Sequence, residues 1–220
     1  MIHALIFDFD GLILNTETAD FRAWSHIYAQ FGQTLPRGVW EQNIGAIHFD
    51  PYVYLQAQVG HPLHREQVMA DHEAHNLALV HQMSLLPGVD DYLQAARQAG
   101  LKIGIASSSA HRWVDSHLAR LGIGSQFDSV CCRDDVGNVS KPDPAVYLAA
   151  LDALGVAPQQ AIALEDSPNG AMAAKAAGLW CVTVPNEMTR HLPFPPVDLR
   201  LESLAALPLT ELLRRLAHPF

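Results

Sequence analysis

Short apolar runs alternate with helical patterns through most of the chain. Five of these runs are too short for helices and are typical of strands buried in a parallel sheet. Four other segments repeat apolar residues at helical spacing, and each is followed by a glycine where a helix C-terminus is expected. This order predicts an α/β fold with helices on both faces of a parallel sheet. The strands are Ala4–Phe7, Lys102–Ala106, Ser129–Cys132, Ala161–Leu164 and Trp180–Val184, and the helices are Asp90–Ala99, His111–Leu121, Pro144–Leu154 and Asn169–Ala177.

The segment from Asn15 to about Leu85 departs from this alternation. It shows no strand pattern, its aromatic and apolar residues recur at helical spacing, and glycines and prolines divide it into short pieces. We therefore expect a small all-helical cap domain, residues 16–85, inserted after the first strand of a Rossmann-like parallel sheet. Residues 1–15 and 86–220 would form that core, with a last helix near Ser203–Leu216.

The composition predicts a compact protein and narrows its partners. Of the 220 residues 49% are hydrophobic, and 23 acidic against 14 basic residues give a net charge of −9. This balance argues against a nucleic-acid partner, which needs a basic face. No apolar run approaches the roughly 20 residues that cross a bilayer, and the N-terminus lacks a signal-peptide pattern. We expect no membrane partner, a cytoplasmic location and, because no coiled coil is present, a monomer.

Cysteine and histidine show no metal-binding pattern. Cys131, Cys132 and Cys181 lack CxxC spacing and are expected to be buried free thiols. His72 and His75 could share one face of a helix in the insert, but no other element completes a site with them. We interpret them as histidines of the surface or the edge of the core.

Charged and hydroxyl side chains follow four of the five predicted strands. The carboxyl ends of parallel strands meet at one edge of an α/β sheet, where ligands bind, so this pattern predicts an active site. Asp134 and Asp135, after the third strand, are assigned no role. The other strand-end residues are Asp8, Asp10, Ser107, Ser108, Ser109, Glu165, Asp166 and Ser167.

The carboxylates of this group predict a magnesium site. Asp8 and Asp10 are two residues apart, so in an extended chain their side chains project to the same side. Two such carboxylates repel each other unless a cation lies between them. Asp166 could add a third oxygen ligand, and oxygen ligands suit Mg²⁺, the cofactor we expect. Glu165 could support these ligands through a salt bridge to Lys141 or could bind the metal directly.

Ser107 and Lys141 predict a phosphate-binding site. Ser107 lies between a strand and a helix, so its hydroxyl and the following backbone N–H, that of Ser108, could hold an anion. Lys141 lies in Ser140–Pro144, where prolines stiffen the chain and fix a positive charge. Ser107 could instead be a helix N-cap, and Lys141 could be a surface lysine.

Four of these segments, in this order, resemble the motifs of the haloacid dehalogenase-like hydrolases. Residues 8–17, DFDGLILNTE, are similar to the first motif. Ser107, Lys141 within Ser-Lys-Pro, and Glu165-Asp166-Ser167 are similar to the second, third and fourth motifs. The helical insert resembles the subgroup with a helical first cap, which includes phosphoglycolate phosphatases, sugar-phosphate phosphatases and beta-phosphoglucomutase.

The resemblance implies a role for each residue in hydrolysing a small-molecule phosphate ester of a sugar or an organic acid. Asp8 would attack phosphorus and form an aspartyl-phosphate. Asp10 would protonate the leaving alcohol and then activate water. The Asp8 and Asp166 side chains and the backbone carbonyl of Asp10 would hold Mg²⁺. Ser107, with Ser108, and Lys141 would hold the phosphate.

The cap is expected to close as a lid and to select the substrate. Candidate contacts are Asp20, Arg22, Trp24 and His48, together with Asn15 and the loop Asn43–Phe49. Asp20 stands where beta-phosphoglucomutase carries a histidine important to mutase control, and His48 stands where it carries a phosphate-binding arginine. Without a cation for a second phosphate, hydrolysis is favoured over phosphosugar mutase activity, which remains an alternative.

Three further alternatives belong to the same fold. Dehalogenation is disfavoured because displacing a halide needs no acid such as Asp10. Phosphonate cleavage is disfavoured because residues 15–85 contain no lysine to form a Schiff base. A non-catalytic phosphometabolite-binding protein remains an alternative, against which the intact set of Asp8, Asp10, Lys141 and Asp166 counts.

Overall fold

The chain, described by a computed structural model over residues 1–44 and 49–217, divides into two compact units. One unit contains Met1–Leu14 and Ser84–Phe220, and the other contains Asn15–Met83. The boundaries expected from the sequence lie one or two residues from these.

The larger unit contains the predicted parallel sheet, and the α/β fold with a Rossmann-like sheet is confirmed. Six strands lie in the order β3-β2-β1-β4-β5-β6, and all of their pairings are parallel. β1 is thus central, between β2 and β4, and its side chains are fully buried because helices cover both faces. The strands are β1 (Ala4–Phe7), β2 (Lys102–Ala106), β3 (Ser129–Cys131), β4 (Ala161–Glu165), β5 (Trp180–Thr183) and β6 (Leu199–Arg200).

The sheet differs from the sequence prediction at strand ends and at one edge. β3 ends at Cys131 rather than at Cys132, whose N–H turns away and donates to the Asp135 carboxylate. β6 was not predicted, because two residues are too few to show a hydrophobic period. It extends the sheet by pairing Leu199 with Val182.

The helices of this unit agree with the predicted ones within one residue at either end, except the last. Their bounds are α5 (Val89–Gln98), α6 (His111–Leu121), α7 (Ala145–Leu154), α8 (Pro168–Ala176) and α9 (Leu209–Ala217). The last helix, expected near Ser203–Leu216, is present but begins six residues later than predicted. A short 3₁₀ helix, Leu204–Ala206, comes first, and α9 begins only after Pro208, since proline cannot continue a helix through its interior.

In its described residues the smaller unit consists of helices joined by loops, with no strand, as expected for the insert. Its helices are α1 (Thr16–Gln30), α2 (Arg37–Gln42), α3 (Pro51–Val59) and α4 (Arg65–Val80). Trp24, Ile27 and Tyr28 form the buried face of α1. The Tyr28 hydroxyl donates to the Pro51 carbonyl at 2.7 Å and so fixes the start of α3.

Two further expectations concern the whole chain. Cys131, Cys132 and Cys181 are buried free thiols, as predicted. Within residues 1–44 and 49–217, no helix combines the length and the apolar character that a bilayer-spanning helix needs.

Candidate active site at the carboxyl edge of the sheet

Asp8 lies at the carboxyl end of the central strand β1. Its N–H donates to the Leu164 carbonyl of the neighbouring strand β4 at 2.9 Å, which continues the ladder one residue past Phe7. The residue is only 7% exposed. Asp8 is therefore a buried carboxylate that the sheet holds in place.

Lys141 pairs with this carboxylate from the loop before α7. Its Nζ atom lies 2.6 Å from Oδ1 of Asp8, 2.6 Å from Oε1 of Glu165 and 2.8 Å from the Ala106 carbonyl. These contacts use all three protons of the ammonium. Lys141 is 6% exposed, so the interpretation as a surface lysine is excluded.

Glu165, the last residue of β4, is fully buried behind the Lys141 ammonium. Its Oε1 atom also accepts a hydrogen bond from the Tyr147 hydroxyl at 2.7 Å. Helix α8 passes so close that a Cβ atom on Gly170 would lie 1.9 Å from Oε2 of Glu165. Because glycine has no side chain, residue 170 leaves room for the Glu165 carboxylate.

The buried charges shift each other's pKa values. Burial raises the pKa of Asp8 to about 8; the Lys141 ammonium opposes the rise, while the Glu165 and Asp10 carboxylates add to it. Burial alone would lower the pKa of Lys141, but the Asp8 and Glu165 carboxylates raise it above its usual range. Lys141 is therefore a permanent cation beside a carboxylate whose ionised form needs further positive charge.

Asp166 supplies another buried carboxylate to this edge of the sheet. It is 2% exposed, and its Oδ2 atom accepts a hydrogen bond from Nδ2 of Asn186 at 2.7 Å. Gly11, at a φ of +85°, passes beside it, and a Cβ atom there would lie 2.2 Å from the same oxygen. Both the left-handed backbone and the lack of space require glycine at position 11.

These carboxylates fit a divalent cation. Oxygen atoms of Asp8, Glu165 and Asp166 lie within 4.8 Å of one another. They are the hard ligands that Mg²⁺ prefers, and three carboxylates outnumber the one buried ammonium among them. The group includes Glu165, whereas the sequence predicted Asp10 beside Asp8 and Asp166. The Asp10 carboxylate points instead to two other side chains, so a metal contact from Asp10 depends on its backbone carbonyl, as the resemblance implied.

The Asp10 carboxylate is bonded through both of its oxygens. Oδ2 accepts from the Ser109 hydroxyl at 2.6 Å, and Oδ1 accepts from the Trp113 indole N–H at 2.8 Å. The site thus contains one carboxylate paired with a lysine, Asp8, and a second that uncharged donors orient.

The predicted phosphate-binding serines lie in the turn between β2 and α6. Ser107 is fully buried, and its hydroxyl oxygen accepts the N–H of Ser109 at 3.0 Å. The N-cap of α6 is Ala110, so the interpretation of Ser107 as a helix cap is excluded. The Ser108 hydroxyl accepts the N–H of Lys141 at 3.1 Å and so joins the second and third motifs.

Asp134 and Asp135, to which the sequence assigns no role, fix the neighbouring loops. The Asp134 carboxylate accepts the N–H of His111, the first residue of α6, at 3.1 Å. Asp135 accepts the N–H of Cys132 at 2.8 Å and lies 2.7 Å from Nε2 of His111. Their hydrogen bonds are explained by loop structure alone.

The cap unit has a cavity of its own, of about 480 Å³. Of the predicted contact residues, Asp20 and Trp24 line it, and so do Asn43, Ile44 and Phe49 from the described ends of the predicted loop. His72 also lines the cavity, places Nε2 2.7 Å from Oδ1 of Asp20 and stacks on the Trp24 ring at 4.3 Å. Arg22 is exposed on α1, and His48 lies outside the described residues.

The sequence did not single out several residues that complete the site. Tyr147 and Asn186 are common polar residues far along the chain from the carboxylates they contact, and no local pattern marks them. Trp113 follows the serine turn by one helical turn and shows only an ordinary amphipathic spacing. Ser109 belongs to the serine run after β2, in which the sequence favours Ser107 and Ser108 as the phosphate-binding residues.

The chain is similar to known proteins over most of its length. Residues 5–184 match the haloacid dehalogenase-like hydrolase family. The protein named "Putative phosphatase YhcW" of Bacillus subtilis (strain 168) is 45% identical over 217 residues, which cover 98% of each chain. Hexitol phosphatase B of Escherichia coli (strain K12) is 32% identical over 216 residues, 96% of this chain and 97% of that one. A mutant CbbY from Rhodobacter sphaeroides, in complex with xylulose-1,5-bisphosphate, superposes with a TM-score of 0.78 at 30% identity, covering 96% of this chain and 99% of that one.

Proposed function

Because the chain belongs to the haloacid dehalogenase-like hydrolases and is a phosphoric monoester hydrolase, we propose that it cleaves a phosphorylated sugar or polyol by way of an aspartyl-phosphate on Asp8. The single observation that carries this proposal is the buried Asp8 carboxylate, held by Lys141 within 4.8 Å of Asp166 at the carboxyl edge of the sheet. A buried carboxylate with a fixed cation is suited to accept a phosphoryl group.

The first step forms a bond between an Asp8 oxygen and phosphorus and breaks the ester P–O bond. Lys141 fixes the plane of the Asp8 carboxylate through Oδ1 and offsets negative charge during the transfer. The leaving oxygen takes a proton from Asp10 and departs as the alcohol. Ser107 and Ser108 hold the phosphoryl oxygens in the turn after β2.

The second step returns the enzyme to its starting state. Asp10, now a carboxylate, accepts a proton from water as the water oxygen attacks phosphorus. The bond between phosphorus and Asp8 breaks, inorganic phosphate leaves, and Asp8 is again a carboxylate. One group thus serves as acid and then as base, so the proton count closes over the cycle.

Asp8, Asp166 and the Asp10 carbonyl would hold Mg²⁺, and Asn186 would orient Asp166. The ion, when bound, supplies positive charge beside the nucleophile and the phosphoryl group. That charge favours the ionised form of Asp8, which burial disfavours.

The names of the relatives support the substrate class. They include hexitol phosphatase B and a phosphorylated carbohydrates phosphatase of Thermotoga maritima. We therefore place phosphorylated polyols and sugars first among the candidate substrates, with glycolate phosphate as the organic-acid representative.

The test is phosphate release from a panel of sugar, polyol, glycolate and nucleotide phosphates with Mg²⁺ present. We expect hydrolysis of at least one carbohydrate phosphate, and a loss of at least about 10³-fold in kcat for Asp8→Asn. Asp152→Asn is the control: it makes the same substitution on the exposed side of α7, and should leave kcat unchanged. Full hydrolysis by a pure Asp8→Asn preparation would contradict the nucleophile assignment. Isomer formation that needs a bisphosphate, without phosphate release, would indicate the mutase instead.

A further inference from the structure

We propose that Ser109 and Trp113 are positioning residues that hold the Asp10 carboxylate in the orientation from which it transfers protons. The inference rests on the proposed function, in which Asp10 is the acid and base. It assigns to Trp113, a residue outside the four motifs, control over the step in which the alcohol leaves.

The two hydrogen bonds fix the whole carboxylate group rather than one atom. The Ser109 hydroxyl donates to Oδ2 at 2.6 Å, and the Trp113 indole donates to Oδ1 at 2.8 Å. Donors on both oxygens fix the rotation about both side-chain torsions of Asp10. Each carboxylate oxygen has two lone-pair sites, so a single hydrogen bond to it does not by itself prevent proton transfer.

The indole is itself held by a series of packed rings. Trp113 packs edge-on against His117, one helical turn further along α6, with ring centroids 4.3 Å apart and planes at 81°. His117 in turn stacks on Phe9 at 6.3 Å and 20°. Phe9 is the residue between Asp8 and Asp10, and both Phe9 and His117 are buried. The packed rings of Trp113, His117 and Phe9 thus connect the Asp10 carboxylate to the strand end that carries the proposed nucleophile, Asp8.

Ser109 links the same orientation to the phosphate-binding turn. Its N–H donates to the Ser107 hydroxyl oxygen at 3.0 Å while its own hydroxyl donates to Asp10. One turn therefore places the proposed phosphate-binding serine and the acid relative to each other. Proton transfer in the transition state depends steeply on such placement, since a misplacement of about 1 Å can cost about 10²-fold in rate.

The dependence of kcat/KM on the leaving group tests the positioning role. A merely structural role would lower kcat/KM equally for all esters. An alkyl phosphate, such as glycerol phosphate, needs a proton on its departing oxygen, whereas p-nitrophenolate leaves readily without one. For Trp113→Phe, which keeps the aromatic packing, and for Ser109→Ala, we expect kcat/KM to fall about 10- to 100-fold with the alkyl ester. With p-nitrophenyl phosphate we expect a fall of less than about threefold, because the need for the acid is removed.

Two controls separate positioning from general damage. Trp180→Phe removes an indole donor that bonds the Gln159 carbonyl at the opposite end of the sheet, and should leave both esters unaffected. Ser109→Thr keeps the hydroxyl and should recover most of the alkyl-ester rate. If Trp113→Phe fails to fold, as judged by its melting transition, the pair Ser109→Ala and Ser109→Thr decides the question.

The outcomes distinguish this inference from the proposed function. Wild-type hydrolysis that Asp8→Asn removes establishes the function whatever Trp113 does. Equal losses on the two esters, no loss, or a rise in rate for both folded variants would overturn the positioning role and leave that function standing. Absence of phosphate release by the wild type would overturn the function itself.

Discussion

The Nζ atom of Lys141 lies 2.6 Å from Oδ1 of Asp8, and both side chains are almost fully removed from solvent. A second carboxylate, Glu165, lies at the same distance from the ammonium. Removing one partner of a buried ion pair leaves an uncompensated charge. Lys141 therefore connects the stability of the core with the orientation of its proposed nucleophile.

The first prediction replaces Lys141 by methionine, which keeps an unbranched side chain one atom shorter and removes its charge. We expect Lys141→Met to lower the free energy of unfolding by about 3–5 kcal/mol and to reduce phosphate release to background. Urea unfolding and a phosphate assay measure the two effects. In Lys141→Met/Glu165→Gln, where one carboxylate is neutral, stability should partly return and activity should not.

The same substitution at Lys175 is the matched control. Lys175 pairs with Asp198 at 2.8 Å, but its side chain is 37% exposed, so Lys175→Met should cost less than about 1 kcal/mol. If Lys141→Met is as stable as Lys175→Met, the buried ion pair is not what holds this part of the core.

The parts of the site that could be predicted are those that local sequence encodes. β1 was predicted to the residue because an apolar run ends in charge at Asp8. Because the carboxyl ends of parallel strands lie at the same edge of a sheet, Asp8, Ser107 and Asp166 are predicted to lie close together. The partners of these groups could not be predicted, since Tyr147 and Asn186 approach through the tertiary fold. The error at α9 has a different cause, because Pro208 was visible in the sequence as a helix-breaking signal.

The second prediction concerns Asp166, the proposed metal ligand. EDTA should abolish phosphate release, and added Mg²⁺ should restore it. Asp166→Asn replaces a carboxylate by a neutral amide and should raise the Mg²⁺ concentration for half-maximal rate at least about tenfold. Asn186→Ala keeps the Asp166 carboxylate but removes the amide that donates to it, together with the bonds of that amide to Gly11, Met188 and Thr189, and should raise this concentration by about 10- to 100-fold at most. A rate in EDTA equal to that in Mg²⁺ would contradict the metal site.

The third prediction tests the close approach of α8 to β4. A methyl group on Gly170 would lie 1.9–2.0 Å from the Glu165 carboxylate, which is a steric overlap. Gly170→Ala should therefore displace Glu165 from Lys141, lower the unfolding free energy by about 1–3 kcal/mol, as overpacking does, and reduce kcat. Thermal melting and the phosphate assay measure both.

Gly38 provides the control for that change. It lies in helix α2, and apart from its chain neighbours and the backbone of its own helix, no atom of the described residues comes within 4 Å of the position that a methyl group would take there. Gly38→Ala should therefore be neutral or stabilise by up to about 1 kcal/mol. Similar melting temperatures for Gly170→Ala and Gly38→Ala would show that α8 can move away at no cost.

The fourth prediction concerns Asp50, the N-cap of α3 in the cap unit. Its carboxylate accepts the N–H of Tyr52 at 2.9 Å and that of Val53 at 3.3 Å, and pairs with Arg65 at 2.7 Å. Asp50→Ala should destabilise α3 by about 1 kcal/mol, the usual cost of losing a cap. Asp50→Asn keeps an acceptor oxygen and should retain most of that stability. Hydrogen exchange of the amides of residues 52–59 measures the effect locally.

The contribution of Asp50 should also depend on pH. Burial alone would raise the pKa of Asp50, but the hydrogen bonds from Arg65, Val53 and Tyr52 bring it below its ordinary value. A carboxyl whose pKa is lower in the folded state stabilises that state above its unfolded pKa, about 3.9, and loses this contribution as pH falls through the folded value. The difference in exchange protection between wild type and Asp50→Ala should thus be constant near neutral pH and shrink below about pH 4. Asp50→Asn has no carboxyl to titrate, so its difference from Asp50→Ala should stay constant over the same range, and a parallel decline in both would locate the titrating group elsewhere.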